Sequence, residues 1–207
     1  MRRATDCLLV VDVQNDFMPE GALAVPRGDE IVPLVSRLAA QFAVVVLTQD
    51  WHPAGHASFA SSHPGRKPYE KIRLAYGEQI LWPDHCVQGT FGAAFHAGLD
   101  IPHAQLVIRK GHHKKVDSYS AFLEADRKTK TGLDGYLKSR GVKRVYCAGL
   151  ATDFCVSWTT TDARRFGLQA AVIEDACRAI DTAGSLAAAW QAMKKAGVRR
   201  VSSGALL

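Results

Sequence analysis

Three residues with chemically active side chains stand close to the ends of apolar runs in the sequence. Asp12 follows the run LLVV, Lys110 follows the run LVIR, and Cys155 comes shortly after VYCAGL. A carboxylate that accepts a proton, a buried ammonium beside it and a thiol that attacks a carbonyl are the parts of a cysteine nucleophile site. Each also has a purely structural interpretation: a cap for Asp12, a solvent-reaching ammonium for Lys110 and an inert buried thiol for Cys155.

The position of Cys155 favours a reactive thiol. The segment GLATDFCV reads as the end of a strand and the start of a helix, with Thr152 or Asp153 as the N-cap. Cys155 then lies in the first helical turn, where free backbone N–H groups and the helix dipole lower a thiol pKa and can bind an oxyanion. The remaining cysteines are interpreted as buried and inert: Cys7, Cys86, Cys147 and Cys177.

A second set of residues has the composition of a metal site. Asp50 and His52 follow an apolar run, and His85 lies in the segment WPDHC. One carboxylate and two imidazoles suit a divalent transition metal and leave coordination positions open, although loop histidines are usually solvated. His56 is left open between a further ligand, a hydrogen-bonding partner of a ligand and a simple loop residue. The other histidines are interpreted as bystanders: His63, His96, His103, His112 and His113.

The elements that must position these residues alternate along the chain. Apolar runs at 7–11, 43–47, 106–108, 145–148 and 170–173 predict buried parallel strands, and a short strand is expected at 201–203. Helices are predicted at 29–41, 132–140, 153–166 and 181–196, with Gly141, Gly167 and Gly197 just after three of them. The pattern predicts a three-layer α/β/α fold with a mostly parallel central sheet and a site at the carboxyl ends of its strands.

Composition narrows the class of protein further. With 207 residues, 47% hydrophobic and 22% charged, we expect a single domain over 1–207, including a long functional loop region at about 49–104 that holds six of the eight histidines. No apolar run approaches the roughly 20 residues of a membrane span, so we expect a cytoplasmic protein with no membrane partner. The net charge of +6 is assigned to a solvated surface and no nucleic-acid partner is expected, because the basic runs lack interleaved aromatics.

Five ordered segments together resemble the nicotinamidase branch of the isochorismatase-like cysteine hydrolases: LLVVDVQNDF, LTQDWHP with HASFA, WPDHCVQGT, KG followed by DSYSAF, and GLATDFCV. The resemblance implies that Cys155 is the nucleophile and that Asp12 and Lys110 complete its triad. It also implies one divalent metal ion, zinc first and iron or manganese as alternatives, and Ser58 near that metal through water. The implied ligands of the metal are Asp50, His52 and His85.

The same resemblance implies an activity, the metal-dependent hydrolysis of nicotinamide to nicotinate and ammonia through a thioester, with pyrazinamide as a further substrate. A cis peptide bond between Leu150 and Ala151 is expected, with the backbone N–H groups of Ala151 and Cys155 facing the oxyanion. The expected partner is the small-molecule substrate nicotinamide. Whether the chain forms a homo-oligomer is left open. The alternative is a metal-free relative that cleaves another amide or carbamoyl compound. Three aromatic residues are expected to hold the pyridine ring: Phe17, Trp82 and Tyr119.

Overall fold

The apolar runs of the sequence form one parallel sheet in the computed structural model, which describes residues 3–207. Its spatial order is β5-β2-β1-β6-β7-β8, and every neighbouring pair is parallel. β3 and β4 form a separate antiparallel hairpin. The strands are β1 (Asp6–Val11), β2 (Val44–Asp50), β3 (Lys71–Leu74), β4 (Gly77–Ile80), β5 (Leu106–Lys110), β6 (Arg144–Leu150), β7 (Gln169–Arg178) and β8 (Arg199–Val201).

Helices connect the strands of this sheet. They are α1 (Val32–Ala39), α2 (Leu133–Ser139), α3 (Ser157–Arg165) and α4 (Ser185–Lys195). Gly141, Gly167 and Gly197 follow three of them with φ of 68°, 80° and 76°, so the predicted left-handed helix ends are confirmed. β1, β2 and most of β6 are buried along their length, as strands covered on both faces must be. The predicted three-layer α/β/α class is therefore confirmed.

The order of the strands fixes where a site can form. From β1 the chain passes through α1 to β2 on one side, and from β6 it passes through α3 to β7 on the other side. The direction of winding therefore changes between β1 and β6. In open α/β sheets a crevice forms at the carboxyl ends of the strands at such a point. Asp12 leaves β1 and Ala151 leaves β6 at this crevice.

Several predicted helices are shorter than the sequence pattern indicated. Predicted helix 29–41 divides into a 3-10 turn at Gly28–Ile31 and α1, and predicted helix 153–166 divides into a π-helical turn at Thr152–Val156 and α3. The N-cap prediction for Thr152 or Asp153 was wrong. The Asp153 carboxylate instead accepts hydrogen bonds from the backbone N–H groups of Ile180 and Asp181 and from Ser185 Oγ. These bonds hold the segment that precedes α4, which therefore begins four residues later than predicted.

The hairpin of β3 and β4 lies inside the region 49–104, which the sequence pattern treated as one long loop. Its residues are exposed or half-buried except for the buried Gln79, which is polar, so no apolar run marked it. The final strand is displaced too: β8 ends at Val201, and a 3-10 turn follows at Ser203–Ala205. Among residues 3–207, no helix has the length and apolar character needed to cross a membrane.

Candidate active site

Lys110 joins the charged residues of the crevice. It ends β5, and its ammonium nitrogen lies 2.8 Å from Asp12 Oδ2 and 2.9 Å from Asp50 Oδ1, with all three side chains buried. β2 lies between β1 and β5, so Asp12 and Lys110 do not occupy neighbouring strand ends. Lys110 at the end of β5 nevertheless contacts Asp12, and it also contacts Asp50 at the end of the intervening β2. Burial alone would lower the Lys110 pKa, but the two carboxylates hold it well above its usual value.

Cys155 lies beside this ion-paired group. Its sulfur is 3.4 Å from Lys110 Nζ, and the residue is 7% exposed. Burial raises the pKa of the Cys155 thiol well above its usual value and outweighs the opposing effect of Lys110. The expectation of a thiol pKa lowered by a helix terminus was therefore wrong, since burial is the largest influence at this position. A thiol of this kind is protonated at neutral pH and requires a base.

Asp12 is arranged to be that base. Its Oδ1 accepts a 2.6 Å hydrogen bond from Thr48 Oγ1, which receives a hydrogen bond from the Asp12 backbone N–H. Oδ2 is ion-paired with Lys110 but accepts no hydrogen bond of good geometry from the described residues. One carboxylate oxygen thus remains available for a proton. Burial, partly offset by Lys110, raises the Asp12 pKa above its usual value, which strengthens this carboxylate as a proton acceptor.

The turn that carries Cys155 begins directly after β6. The peptide bond between Leu150 and Ala151 is cis, as the resemblance implied. The Ala151 carbonyl then accepts hydrogen bonds from the backbone N–H groups of Phe154 and Val156. A π-helical turn runs from Thr152 to Val156 and continues into α3. The nucleophile candidate is therefore held in a fully buried turn and not on a free loop.

Asp50, His52 and His85 come together with ligand atoms directed at one point. Asp50 Oδ2 lies 3.3 Å from His52 Nε2 and 3.4 Å from His85 Nε2. Ligands about 2.0 Å from a tetrahedral ion are about 3.3 Å apart, so the spacing fits a metal. Each ring donates its Nδ1–H to a carbonyl, His52 to Gly111 and His85 to Pro83, which leaves both Nε2 lone pairs free for coordination.

His56 contacts this group but is not directed at the same point. Its ring packs 4.3 Å from that of His52, and its Nε2–H faces the carbonyl oxygens of His113 and Val116 at 3.0 and 3.2 Å. Its Nδ1 lies 2.7 Å from Ser58 Oγ. Both ring nitrogens therefore have protein partners. None of these partners is a proposed metal ligand, so His56 meets the ligand group through ring packing on His52 and not as a hydrogen-bonding partner of a ligand.

A narrow cavity opens beside Cys155 and the proposed metal ligands. All three predicted aromatic residues, Phe17, Trp82 and Tyr119, line this cavity. Trp82 packs edge-on against Phe154 with ring centroids 4.9 Å apart, and Phe17 lies 5.7 Å from the His85 ring. Sequence reasoning missed several of the lining residues because nothing marked them as neighbours of the site. The lining consists of Phe17, Leu23, Asp50, Trp82, His85, Asp117, Tyr119, Ala151, Phe154, Cys155 and Ile180.

Two residues that sequence reasoning missed, Gln14 and Gly111, hold the site in place. Gln14 is buried, receives a hydrogen bond from the Asp50 backbone N–H and donates one to the Asp50 carbonyl. Gly111 has φ +67°, and a Cβ there would lie 2.5 Å from His52 Cε1. Glycine is therefore required at this position by both conformation and space. The KG pair of the sequence could have indicated Gly111, but nothing singled out Gln14.

The histidines that were predicted to be bystanders lie outside the cluster of Asp50, His52 and His85. His113 Nδ1 is 2.7 Å from both carboxylate oxygens of Glu124, with His112 beside it. That spacing suits a direct hydrogen bond better than two ligands of a common ion. His63 and His103 bond the carbonyls of Ala57 and Ala39.

The parallel sheet, the Asp-Lys-Cys group at its carboxyl edge and the adjacent ligand cluster define a class of cysteine hydrolase. The sequence pattern of the isochorismatase domain matches residues 6–204, and the chain belongs to this family. A nicotinamidase from Acinetobacter baylyi is 58% identical over 204 residues, covering 98% of this chain and 95% of that protein.

Solved structures agree with this assignment. The structure of a nicotinamidase and pyrazinamidase from Acinetobacter baumanii covers 100% of both chains with a TM-score of 0.99 at 57% identity. A pyrazinamidase from Pyrococcus horikoshii in complex with zinc has a TM-score of 0.79 at 36% identity, covering 96% of this chain and 99% of that one.

Proposed function

We propose that this chain hydrolyses nicotinamide to nicotinate and ammonia, with Cys155 as nucleophile, and that it also accepts pyrazinamide. The observation that carries the proposal is the position of a buried thiol 3.4 Å from Lys110, in a group that contains Asp12 and opens onto an aromatic cavity. The nicotinamidase relatives support the choice of substrate. A small aromatic amide suits a narrow cavity lined by Trp82 and Tyr119.

Two parts of the cavity position the substrate, the aromatic residues around its ring and Cys155 beside its carboxamide. The ring lies among Phe17, Trp82 and Tyr119, and the carboxamide carbon faces Cys155 Sγ. Asp50, His52 and His85 would hold the metal ion, zinc in our proposal, and that ion would supply Lewis acidity toward the ring nitrogen.

Acylation begins with transfer of the thiol proton to Asp12 Oδ2. Cys155 Sγ then forms a bond to the carbonyl carbon, and the carbonyl π electrons move to its oxygen. The backbone N–H groups of Ala151 and Cys155 donate to that oxyanion. Lys110 keeps the carboxylate next to the sulfur and offsets negative charge in a buried site, where charges interact more strongly than in water. Because burial favours the neutral thiol, the proton transfer and the attack are coupled.

Collapse of the tetrahedral species releases the amine. The proton on Asp12 passes to the nitrogen as the carbon–nitrogen bond breaks, so ammonia leaves and a thioester remains on Cys155. Asp12, again a carboxylate, accepts a proton from water as the water oxygen attacks the thioester. The carbon–sulfur bond then breaks, the proton on Asp12 returns to the sulfur, and the nicotinic acid formed loses its own proton to solvent and leaves as nicotinate. No organic cofactor enters this sequence.

The alternative of a metal-free amidase requires the same triad without a metal. Two imidazole Nε2 atoms and a carboxylate oxygen at ligand spacing would then have no function. The zinc complex of the Pyrococcus horikoshii pyrazinamidase also favours the metal-dependent proposal.

The test is ammonia release from nicotinamide by the purified, zinc-loaded protein. We expect turnover by the wild type, none above background by Cys155→Ala, and wild-type turnover by Cys147→Ala, a matched change at a buried cysteine outside the site. Full activity of Cys155→Ala would refute the mechanism. Absence of ammonia release from nicotinamide and pyrazinamide by the folded wild type would refute the function.

A further inference from the structure

The β3–β4 hairpin sends one buried polar side chain toward the cavity. Gln79 of β4 is 2% exposed, whereas its neighbour Glu78 points outward and pairs with Lys71 on the protein surface. A buried amide must satisfy its donors and acceptor within the protein. The partners of Gln79 are therefore informative about what the hairpin supports.

The amide of Gln79 is oriented by its partners. Tyr76 donates its hydroxyl to Gln79 Oε1 at 2.9 Å, and the amide nitrogen donates to Asp117 Oδ2 at 2.7 Å. The same nitrogen lies 2.6 Å from the Ile80 carbonyl and 3.2 Å from the Tyr119 hydroxyl oxygen. Because the Tyr76 hydroxyl donates to the amide oxygen and a carboxylate oxygen accepts from the amide nitrogen, the nitrogen faces Asp117. The orientation of the amide is thus fixed by its neighbours.

The network continues into the aromatic wall of the cavity. Trp82 Nε1 donates to the Tyr119 hydroxyl oxygen at 2.9 Å, so this oxygen receives N–H groups from both Trp82 and Gln79. Trp82, Asp117 and Tyr119 all line the cavity, but Gln79 does not. Gln79 therefore lies behind the wall, contacts Asp117 and Tyr119 directly, and reaches Trp82 through the Tyr119 hydroxyl.

We propose that Gln79 is a positioning residue of the substrate site, which holds the rings of Trp82 and Tyr119 at the spacing that accepts a flat heteroaromatic amide. This inference rests on the proposed function. Gln79 contacts no substrate atom. Its two N–H groups are shared among the Asp117 carboxylate, the Ile80 carbonyl and the Tyr119 hydroxyl, and the contact with Tyr119 positions the Trp82 indole that is bonded to that hydroxyl. The catalytic group around Cys155 lies outside this network.

Two nearly isosteric substitutions separate this role from general stability. Gln79→Met removes the hydrogen-bond donors of the amide. We expect KM for nicotinamide to rise about tenfold while kcat changes less than about threefold, because the variant weakens binding of the substrate ring and leaves the reacting groups in place. Gln79→Glu places a second carboxylate against Asp117. Two carboxylates this close share one proton at low pH, and the pKa of the pair is raised. The hydrogen bond is thus kept in acid and lost as pH rises.

The experiment measures KM and the ¹⁵N–¹H signal of the Trp82 indole against pH in zinc-loaded protein, with Trp82→Phe used only to identify that signal. The ratio of KM in Gln79→Glu to KM in wild type should rise at least tenfold from the lowest to the highest pH measured. The Trp82 indole signal of Gln79→Glu should titrate with the same midpoint. Gln79→Met should show no such titration. Glu78→Gln, the matched exposed change on β4, should match wild type throughout.

Two results would overturn the proposal. One is a KM within twofold of wild type at every pH in both Gln79 variants. The other is a Trp82 signal in Gln79→Glu that does not titrate, because a purely structural role would lower Tm without coupling the indole to pH. The indole measurement needs no turnover. If the wild type fails to hydrolyse nicotinamide but the Trp82 signal titrates as described, the proposed function fails and the positioning network stands.

Discussion

Replacing Lys110 by methionine tests the charge arrangement of the site most fully. The substitution keeps the length of the side chain and removes a buried ammonium that lies within 3 Å of Asp12 and Asp50. Removing one partner of a buried ion pair costs about 3–5 kcal/mol, because the other partner is left as an uncompensated charge. In a protein of this size each kcal/mol shifts Tm by about 2–4 °C, so we expect a loss of roughly 6–20 °C.

The loss should depend on pH with a defined sign. Without Lys110, burial and Asp50 raise the pKa of the Asp12 carboxyl further above its unfolded value. A carboxyl with a raised folded-state pKa favours the folded state in acid, and this stability is lost as pH rises through the unfolded and then the folded pKa. The difference in Tm between wild type and Lys110→Met should therefore be smaller at pH 5 than at pH 8. Turnover should fall by about 10²–10⁴ because the base is held protonated.

Lys71→Met is the matched control. Lys71 Nζ lies 2.9 Å from Glu78 Oε1, the same separation as Lys110 from Asp50, but both side chains are more than half exposed. An exposed pair contributes less than about 1 kcal/mol, so Tm should move by no more than a few degrees. The assay is thermal unfolding by circular dichroism at both pH values, together with ammonia release. Equal Tm losses for the two variants, or an active Lys110→Met enzyme, would refute the reasoning.

Three further results are expected. Because burial raises the Asp12 pKa, kcat/KM should fall in acid with a midpoint above the usual value of 3.8, and Asp12→Asn should lose nearly all turnover; a fully active Asp12→Asn would refute the base assignment. His52→Ala and His85→Ala should lower the metal content found by elemental analysis, whereas His103→Ala should not, and stoichiometric metal in all three would place the metal elsewhere. Gly111→Ala should weaken metal binding about 10–100-fold in a competition with a chelator, since a Cβ displaces the His52 ring; unchanged affinity would mean that the loop adapts.

The sheet was predictable because its strands are buried on both faces and read as unbroken apolar runs. The parallel arrangement also made it predictable that Asp12, Asp50 and Lys110 lie at one edge of the sheet, because the carboxyl ends of parallel strands meet there. The order β5-β2-β1 was not predictable from one sequence, because local patterns carry no information on which strands are neighbours. For that reason the bridging of Asp12 and Asp50 by Lys110 emerged only from the structure.

Cys155 was predicted to be the nucleophile from its local position, but the predicted direction of its pKa shift was wrong. A helix terminus near a thiol was visible in the sequence, but the extent of burial was not, and burial reverses the direction of the pKa shift. Gln79 shows a related limit. Its role depends on contacts with Asp117 and Tyr119, which are about 40 residues away in the sequence. A weakly amphipathic hairpin gives no local sign of such contacts.

Mass analysis of the protein during turnover tests the central claim most directly. Rapid acid quenching of zinc-loaded enzyme with saturating nicotinamide should trap a nicotinoyl thioester, and peptide mapping should place the added mass on Cys155 alone. Cys155→Ala should carry no added mass under the same conditions. An acyl group on Cys86 or Cys147 would contradict the assignment of the nucleophile. Steady release of ammonia by Cys155→Ala, which can form no thioester at this position, would contradict covalent catalysis through Cys155.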